Sequence, residues 1–292
     1  MAEGQIIKAT AGYYYVDTGE AVYQCRARGV FKKDGVTPLV GDFVRISVQD
    51  EEEGVVDVIE PRRNAFIRPP VANVDIFIVT VAAAEPEPSF ELTDRFLVTA
   101  EAADAEACVC INKDDLSPQQ AKRIANVYES LYPTVILSAL TRNGISGLRA
   151  LIAGKSAAFA GASGVGKTSL IALLTGVDEL ETGDVSAKTG RGRHTTRHVE
   201  IFTLPGANNT RVYDTPGFTS FEAAEAADLA DANLDALFPE FETYLGDCRF
   251  ADCVHKNEPD CAVRAALENG EIKRSRYASY IKLLEAQRMM KW

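Results

Sequence analysis

Gly161-Ala162-Ser163-Gly164-Val165-Gly166-Lys167-Thr168 follows the apolar run Ala157-Ala158-Phe159-Ala160 and leads into Ser169-Leu170-Ile171-Ala172-Leu173-Leu174. The octet fits G-x-x-x-x-G-K-[ST], and its flanks read as a strand before it and a helix after it, the setting a phosphate-binding loop requires. Its glycines let backbone N–H groups turn inward around an anion, and the positive end of the following helix adds to the attraction. Lys167 then reaches the β/γ-phosphates, while Thr168, with Ser169 behind it in the first helical turn, sets a hydroxyl on Mg²⁺. The stretch calls for a nucleotide held in an α/β domain.

Upstream, residues 74–81, 107–111 and 134–137 read as strands and 92–105, 118–132 and 147–153 as helices, which predicts a parallel sheet covered by helices. Two of the strand ends carry base-reading residues. Asn112-Lys113-Asp114-Asp115 matches N-K-x-D, and Ser138-Ala139-Leu140 resembles the S-A loop that accompanies it in GTPases. The Asp115 carboxylate can accept from guanine N1–H and N2–H₂, a pattern adenine does not offer. Sites built on such bonds reject the wrong partner by roughly 10⁴-fold in favourable cases, which disfavours an ATP-using kinase.

Downstream, Asp214-Thr215-Pro216-Gly217 follows the strand 210–213 and matches D-x-x-G. Asp214 is expected to hold Mg²⁺ through water and the Gly217 N–H to sense the γ-phosphate. Residues 188–198 are Gly-rich and basic, a composition that suits either a nucleotide-ordered switch or a solvated loop; in the first reading Thr195 or Thr196 completes the magnesium shell. Ras-like enzymes place a water-orienting Gln after the D-x-x-G glycine. Phe218 stands there instead, so intrinsic hydrolysis should be slow. His194 is the nearest candidate orienter, its competing reading being an RNA-facing or solvated switch residue.

Residues 1–68 read as five short strands separated by Gly and Asp turns, predicting an OB-type barrel. Arg26, Arg28 and the loop 29–35 suit RNA, against a second reading in which the barrel only packs on its neighbour. A linker punctuated by Pro61, Pro69 and Pro70 follows.

Six cysteines with no signal peptide point to reduced thiols or metal ligands. Cys248-x₄-Cys253-x-His255-x₅-Cys261 supplies three thiolates and an imidazole, the donor set of one closed, structural Zn²⁺ site. Cys25, Cys108 and Cys110 lie in strand patterns and read as packing. The helical tail 271–292 mixes basic and aromatic residues, which either grip RNA or turn the aromatics inward.

At 292 residues, 46% hydrophobic and 25% charged, the composition is that of a multidomain globular protein, and no apolar run reaches membrane-spanning length. A cytoplasmic monomer without membrane partners is expected. The net charge of −11 argues against a uniformly basic nucleic-acid coat but leaves room for one local basic face.

In most GTPases the phosphate loop comes first and the base-reading motifs last. Here the order is reversed, so the domain is circularly permuted. With a barrel before it and a Cys/His module after it, the whole chain resembles the ribosome small-subunit-dependent GTPase A family, including Gly190-Arg191-Gly192-Arg193-His194-Thr195-Thr196 and Asp214-Thr215-Pro216-Gly217-Phe218. The resemblance implies an OB-type barrel at 1–68, a permuted GTPase domain at 69–235 and a small α-helical zinc-binding domain at 236–292. It further implies GTP and GDP as ligands, binding to the small ribosomal subunit and its rRNA in late maturation, and hydrolysis stimulated by the subunit. The competing function is an RNA-binding assembly scaffold that uses GTP only as a conformational marker.

Overall fold

The computed structural model describes residues 1–33, 35–66, 70–177, 199–206, 209–214, 229 and 232–290. Two compact units share them, each drawing on separated stretches of the chain: Met1–Ile76, Arg149–Phe159 and Lys167–Phe218 in one, and Phe77–Leu148, Ala160–Gly166 and Thr219–Trp292 in the other.

The first unit begins with β1 (Ala2–Thr10), β2 (Tyr13–Asp17), β3 (Val22–Ala27), the short α1 (Gly29–Lys33), β4 (Phe43–Val48) and β5 (Glu53–Ile59). The segment 29–35, expected as a loop, thus opens with a short helix. Strands pair in the order β1-β2-β3-β5-β4, and β4 returns to β1 with Gln5 opposite Phe43, closing a five-stranded barrel. Only the β3–β5 pair is parallel. Alternation along the strands sends Ile6, Val16, Cys25, Val44, Ile46 and Val56 into the barrel, where each is fully buried. Cys25 is thus a core residue, and burial pushes its thiol up to about 11. Closure abolishes the exposed edges that five short strands would otherwise present.

Where a linker was expected, β6 (Ala65–Phe66) and β7 (Val71–Ala72) form a small antiparallel pair. The buried Tyr213 hydroxyl donates to the Ala72 carbonyl at 2.9 Å. The same unit holds β11 (Ser156–Ala160) up to Phe159, β12 (Glu200–Thr203), β13 (Arg211–Asp214) and α5 (Lys167–Thr175). β11 and β13 are parallel, but β12 runs antiparallel to β13, so the sheet is mixed rather than parallel throughout.

The second unit contains β8 (Ile76–Ala82) from Phe77 on, β9 (Glu106–Asn112) and β10 (Thr134–Ile136), ordered β10-β9-β8 with β9 and β10 parallel. Every residue of β8 is buried, as a strand covered on both faces must be. Cys108 and Cys110 are fully buried in β9, in keeping with a packing role. Around these strands lie α2 (Phe90–Ala102), α3 (Pro118–Tyr128) and α4 (Ile145–Ile152), the last entering the other unit at Arg149. Ser89 caps α2 by accepting the Leu92 N–H, and Pro118 opens α3 with its preset φ.

The C-terminal part of this unit has two 3₁₀ turns, Leu234–Leu237 and Pro239–Tyr244, then α6 (Ala262–Glu268) and α7 (Arg274–Met290). Phe238 and Phe241 stack at 5.3 Å, and Tyr280 meets both rings edge-on at 5.4 and 5.0 Å. The tail helix therefore turns Tyr280 inward. Arg276, expected on a basic surface, is also completely buried. Its guanidinium grips Glu240 with two N–H bonds, at 2.7 and 3.0 Å, and donates to Asp94 of α2 at 2.8 Å. The Tyr128 hydroxyl donates to the same Asp94 oxygen. Lys282 reaches Glu91 across the α2–α7 contact, and Arg95 pairs with the same carboxylate within α2. Arg274 and Arg288 remain exposed.

Candidate nucleotide site and metal centre

The phosphate loop leaves the end of β11 and enters α5. Gly161 has φ +142, and a Cβ there would lie 2.2 Å from the Thr80 carbonyl oxygen. Gly166, at φ +97, would place a Cβ 2.3 Å from Asn112 Nδ2. Both positions therefore demand glycine on two grounds, backbone conformation and space.

Asn112 is 1% exposed and satisfied on both ends of its amide. Nδ2 donates to the Val165 carbonyl inside the phosphate loop at 2.8 Å, and Oδ1 accepts the Ala139 N–H of the S-A loop at 3.0 Å. One side chain thus ties together the phosphate loop, the end of β9 and the S-A loop. Ser138 is buried beside it and its Oγ accepts the Thr141 N–H at 3.1 Å, shaping that loop. Lys113 adopts the left-handed conformation, φ +63, and its ammonium donates to the Glu85 carbonyl. Asp114 anchors the turn through its N–H to the Leu137 carbonyl, while the Asp115 side chain is exposed.

Of the expected catalytic residues Lys167 is described, as are Thr168, Ser169 and Asp214 of the expected nucleotide-binding set, whereas His194 and Gly217 of the first and Thr195 and Thr196 of the second lie outside the described residues. Burial pushes the Lys167 ammonium down to about 8, opposed by the Asp214 carboxylate. Asp214 is pushed up by burial and by Glu200, with Lys167 pulling the other way. Two partly buried groups of opposite sign thus influence one another at the start of α5 and the end of β13.

The other cluster gathers Cys248, Cys253, His255 and Cys261, whose ligand atoms all lie within 4.8 Å of one another. His255 Nδ1 is 3.5, 3.5 and 3.4 Å from the three sulfurs in chain order, and Cys248 Sγ is 3.9 Å from Cys261 Sγ. Tetrahedral zinc with ordinary bond lengths requires N–S and S–S separations of about 3.6 and 3.8 Å. Three thiolates and one imidazole gathered this closely suit a tetrahedral Zn²⁺ site. His255 sits at φ +58. Its carbonyl accepts the Tyr277 hydroxyl at 2.6 Å, and the preceding Val254 carbonyl accepts the Tyr280 hydroxyl at 3.0 Å. Sequence spacing pointed to the four ligands. It did not point to Asp235, whose Oδ2 lies 3.3 Å from His255 Nε2, nor to the Asp94–Arg276–Glu240 network, because neither follows a local pattern.

A closed five-stranded barrel followed in the chain by N-K-x-D, phosphate-loop and D-x-x-G motifs in permuted order defines a circularly permuted P-loop GTPase. Residues 59–224 match the family described as RsgA GTPase, and residues 3–56 match the RsgA N-terminal domain. Small ribosomal subunit biogenesis GTPase RsgA of Caldanaerobacter subterraneus is 45% identical, over 97% of this chain and 94% of the relative. The protein of the same name from Alkaliphilus metalliredigens is 41% identical over 97% of both. Among solved structures, YjeQ from Thermotoga maritima superposes with a TM-score of 0.78 at 32% identity, covering 98% of each chain. YloQ, described as a circularly permuted GTPase, gives 0.76 at 34% identity, over 99% of this chain and 96% of that one. The chain belongs to the RsgA GTPase family and is a GTPase.

Proposed function

We propose that this chain hydrolyses GTP in the service of small ribosomal subunit maturation, acting as a cytoplasmic monomer that binds the subunit and its rRNA. The observation that carries the guanine-nucleotide reading is the Asn112 amide, bonded at once to the phosphate loop and to the S-A loop. The names of the relatives supply the ribosomal context.

Asp115 accepts from the guanine edge, and the backbone of 161–166 cradles the β-phosphate. Lys167 sits against the β/γ oxygens. Thr168 Oγ and the Asp214 carboxylate are the hard oxygen donors that would hold Mg²⁺, whose charge offsets that developing on the phosphoryl oxygens. Water attacks the γ-phosphorus as its bond to the β–γ bridging oxygen breaks, giving GDP and phosphate. His194 orients that water, Thr195 or Thr196 completes the magnesium shell, and the Gly217 N–H reports the γ-phosphate. Cys248, Cys253, His255 and Cys261 hold one structural zinc.

The domains follow as a barrel at 1–68 that contacts RNA, a GTPase domain at 69–235 and a zinc-binding domain at 236–292 whose exposed basic groups face rRNA. Steady-state phosphate release with and without purified small subunits tests the proposal. Stimulation by the subunit is expected, and its absence would leave only a nucleotide-binding scaffold. Full stimulated turnover in His194→Ala would remove that residue from the mechanism.

A further inference from the structure

We infer that Asp235 is part of the metal centre: it holds His255 in the tautomer and orientation that present Nδ1 to zinc. The inference rests on the reading of the Cys/His cluster as a zinc site. All three sulfurs face Nδ1, at 3.4 to 3.5 Å, so Nδ1 is the metal-binding nitrogen and must be unprotonated when it ligates. The proton of the neutral ring then resides on Nε2. Among the described residues Nε2 has one partner, Asp235 Oδ2 at 3.3 Å. The ring is 3% exposed, so water cannot easily stand in for that acceptor.

The backbone of His255 is fixed independently. Tyr277 and Tyr280 reach the His255 and Val254 carbonyls, and the Glu258 carboxylate accepts the N–H groups of Val254, Lys256 and Asn257. The ring itself packs against Phe241 and Tyr280 at centroid distances of 6.1 and 6.3 Å, and the bond from Nε2 to Asp235 fixes which nitrogen faces the sulfurs. Loss of a carboxylate partner on a ligating imidazole typically costs metal affinity by roughly 10- to 100-fold. Asp235 belongs to the 3₁₀ turn Leu234–Leu237. That turn and the zinc loop are therefore joined through one imidazole.

The test compares full-length wild type, Asp235→Ala, Asp235→Asn and Glu242→Ala, the last removing an exposed acid from the next turn. Each is stripped of metal and titrated with Zn²⁺ against a chromophoric chelator. GTP affinity serves as the folding control, and the Co²⁺ absorption spectrum reports the ligand field. Asp235→Ala should bind zinc roughly 10- to 100-fold more weakly with a shifted cobalt spectrum. Asp235→Asn, which retains an acceptor but not the charge, should fall between it and wild type, and Glu242→Ala should match wild type. Wild-type zinc affinity and cobalt spectrum in Asp235→Ala overturn the inference while the zinc site stands. So does an equal loss in Glu242→Ala, which would make the effect one of net charge. If Asp235→Ala also loses GTP binding, Asp235→Asn decides, with unchanged zinc affinity counting against the inference. Failure of the wild type to bind zinc removes the zinc reading itself.

Discussion

Arg276→Met is the most informative perturbation of the fold. The substitution keeps most of the side-chain volume and removes a guanidinium that is 0% exposed, leaving Asp94 (0%) and Glu240 (7%) buried without their counter-charge. Three charge-assisted bonds of 2.7 to 3.0 Å disappear, together with the stacking of the guanidinium over Phe238 at 4.7 Å. Breaking a buried ion pair from one side typically costs about 3–5 kcal/mol, because the partner stays desolvated. Since Glu240 and Asp94 are both stranded, the upper part of that range is expected. The loss should appear where α2 meets α7. Hydrogen exchange resolved by peptide is therefore the right assay, reporting opening free energies for 90–102 and 274–289 separately from the barrel.

The variant should also respond to pH in a defined direction. Burial already pushes the Asp94 carboxyl up, and Arg276 is the main influence holding it down. With Arg276 gone the folded-state pKa rises further above the unfolded value of about 3.9. The folded state then binds more protons than the unfolded one, so stability falls as pH rises through the folded pKa and recovers on acidification towards about pH 4. Protection of α2 and α7 within about 1 kcal/mol of wild type, at every pH, would refute the account, since that is the scale of an exposed ion pair.

Asn112→Ala removes both bonds of the amide and leaves the buried Val165 carbonyl and the half-buried Ala139 N–H without their partner; at about 1–3 kcal/mol for the stranded buried carbonyl, GTP affinity should drop by roughly tenfold, measured with a fluorescent guanine nucleotide. Asp115→Asn should weaken GTP binding and relax selectivity towards xanthosine triphosphate; equal wild-type affinity for ATP and GTP would undo the assignment. Zinc chelation or Cys253→Ala should unfold the loop between Cys248 and Cys261 while sparing nucleotide binding, because metal binding there is folding energy. Metal analysis finding no zinc in freshly purified protein counts against that expectation.

What could be read in the sequence was whatever is encoded over a few residues. The phosphate loop is one turn between a strand and a helix, so its glycines, Lys167 and Thr168 announce themselves by spacing. The four metal ligands lie within fourteen positions of one another, from Cys248 to Cys261, and the strand ends at Asn112 and Ser138 carry short signatures of their own. Period-two alternation likewise exposed the barrel strands and the core position of Cys25. The turn of Arg276 away from solvent was not legible, because a basic residue in a polar helix looks the same whether it faces water or two acids distant in sequence. Glu240 and Asp94 lie 36 and 182 positions away from it, and only packing of α7 on α2 brings them together. Asn112 shows the same division within a single residue: its place in N-K-x-D was visible, but its bond to Val165, 53 positions downstream, was not. Local backbone geometry writes its requirements into neighbouring residues. Burial of charge and the sharing of one hydrogen-bonding group by several loops leave no such local trace, and the tertiary structure alone decides them.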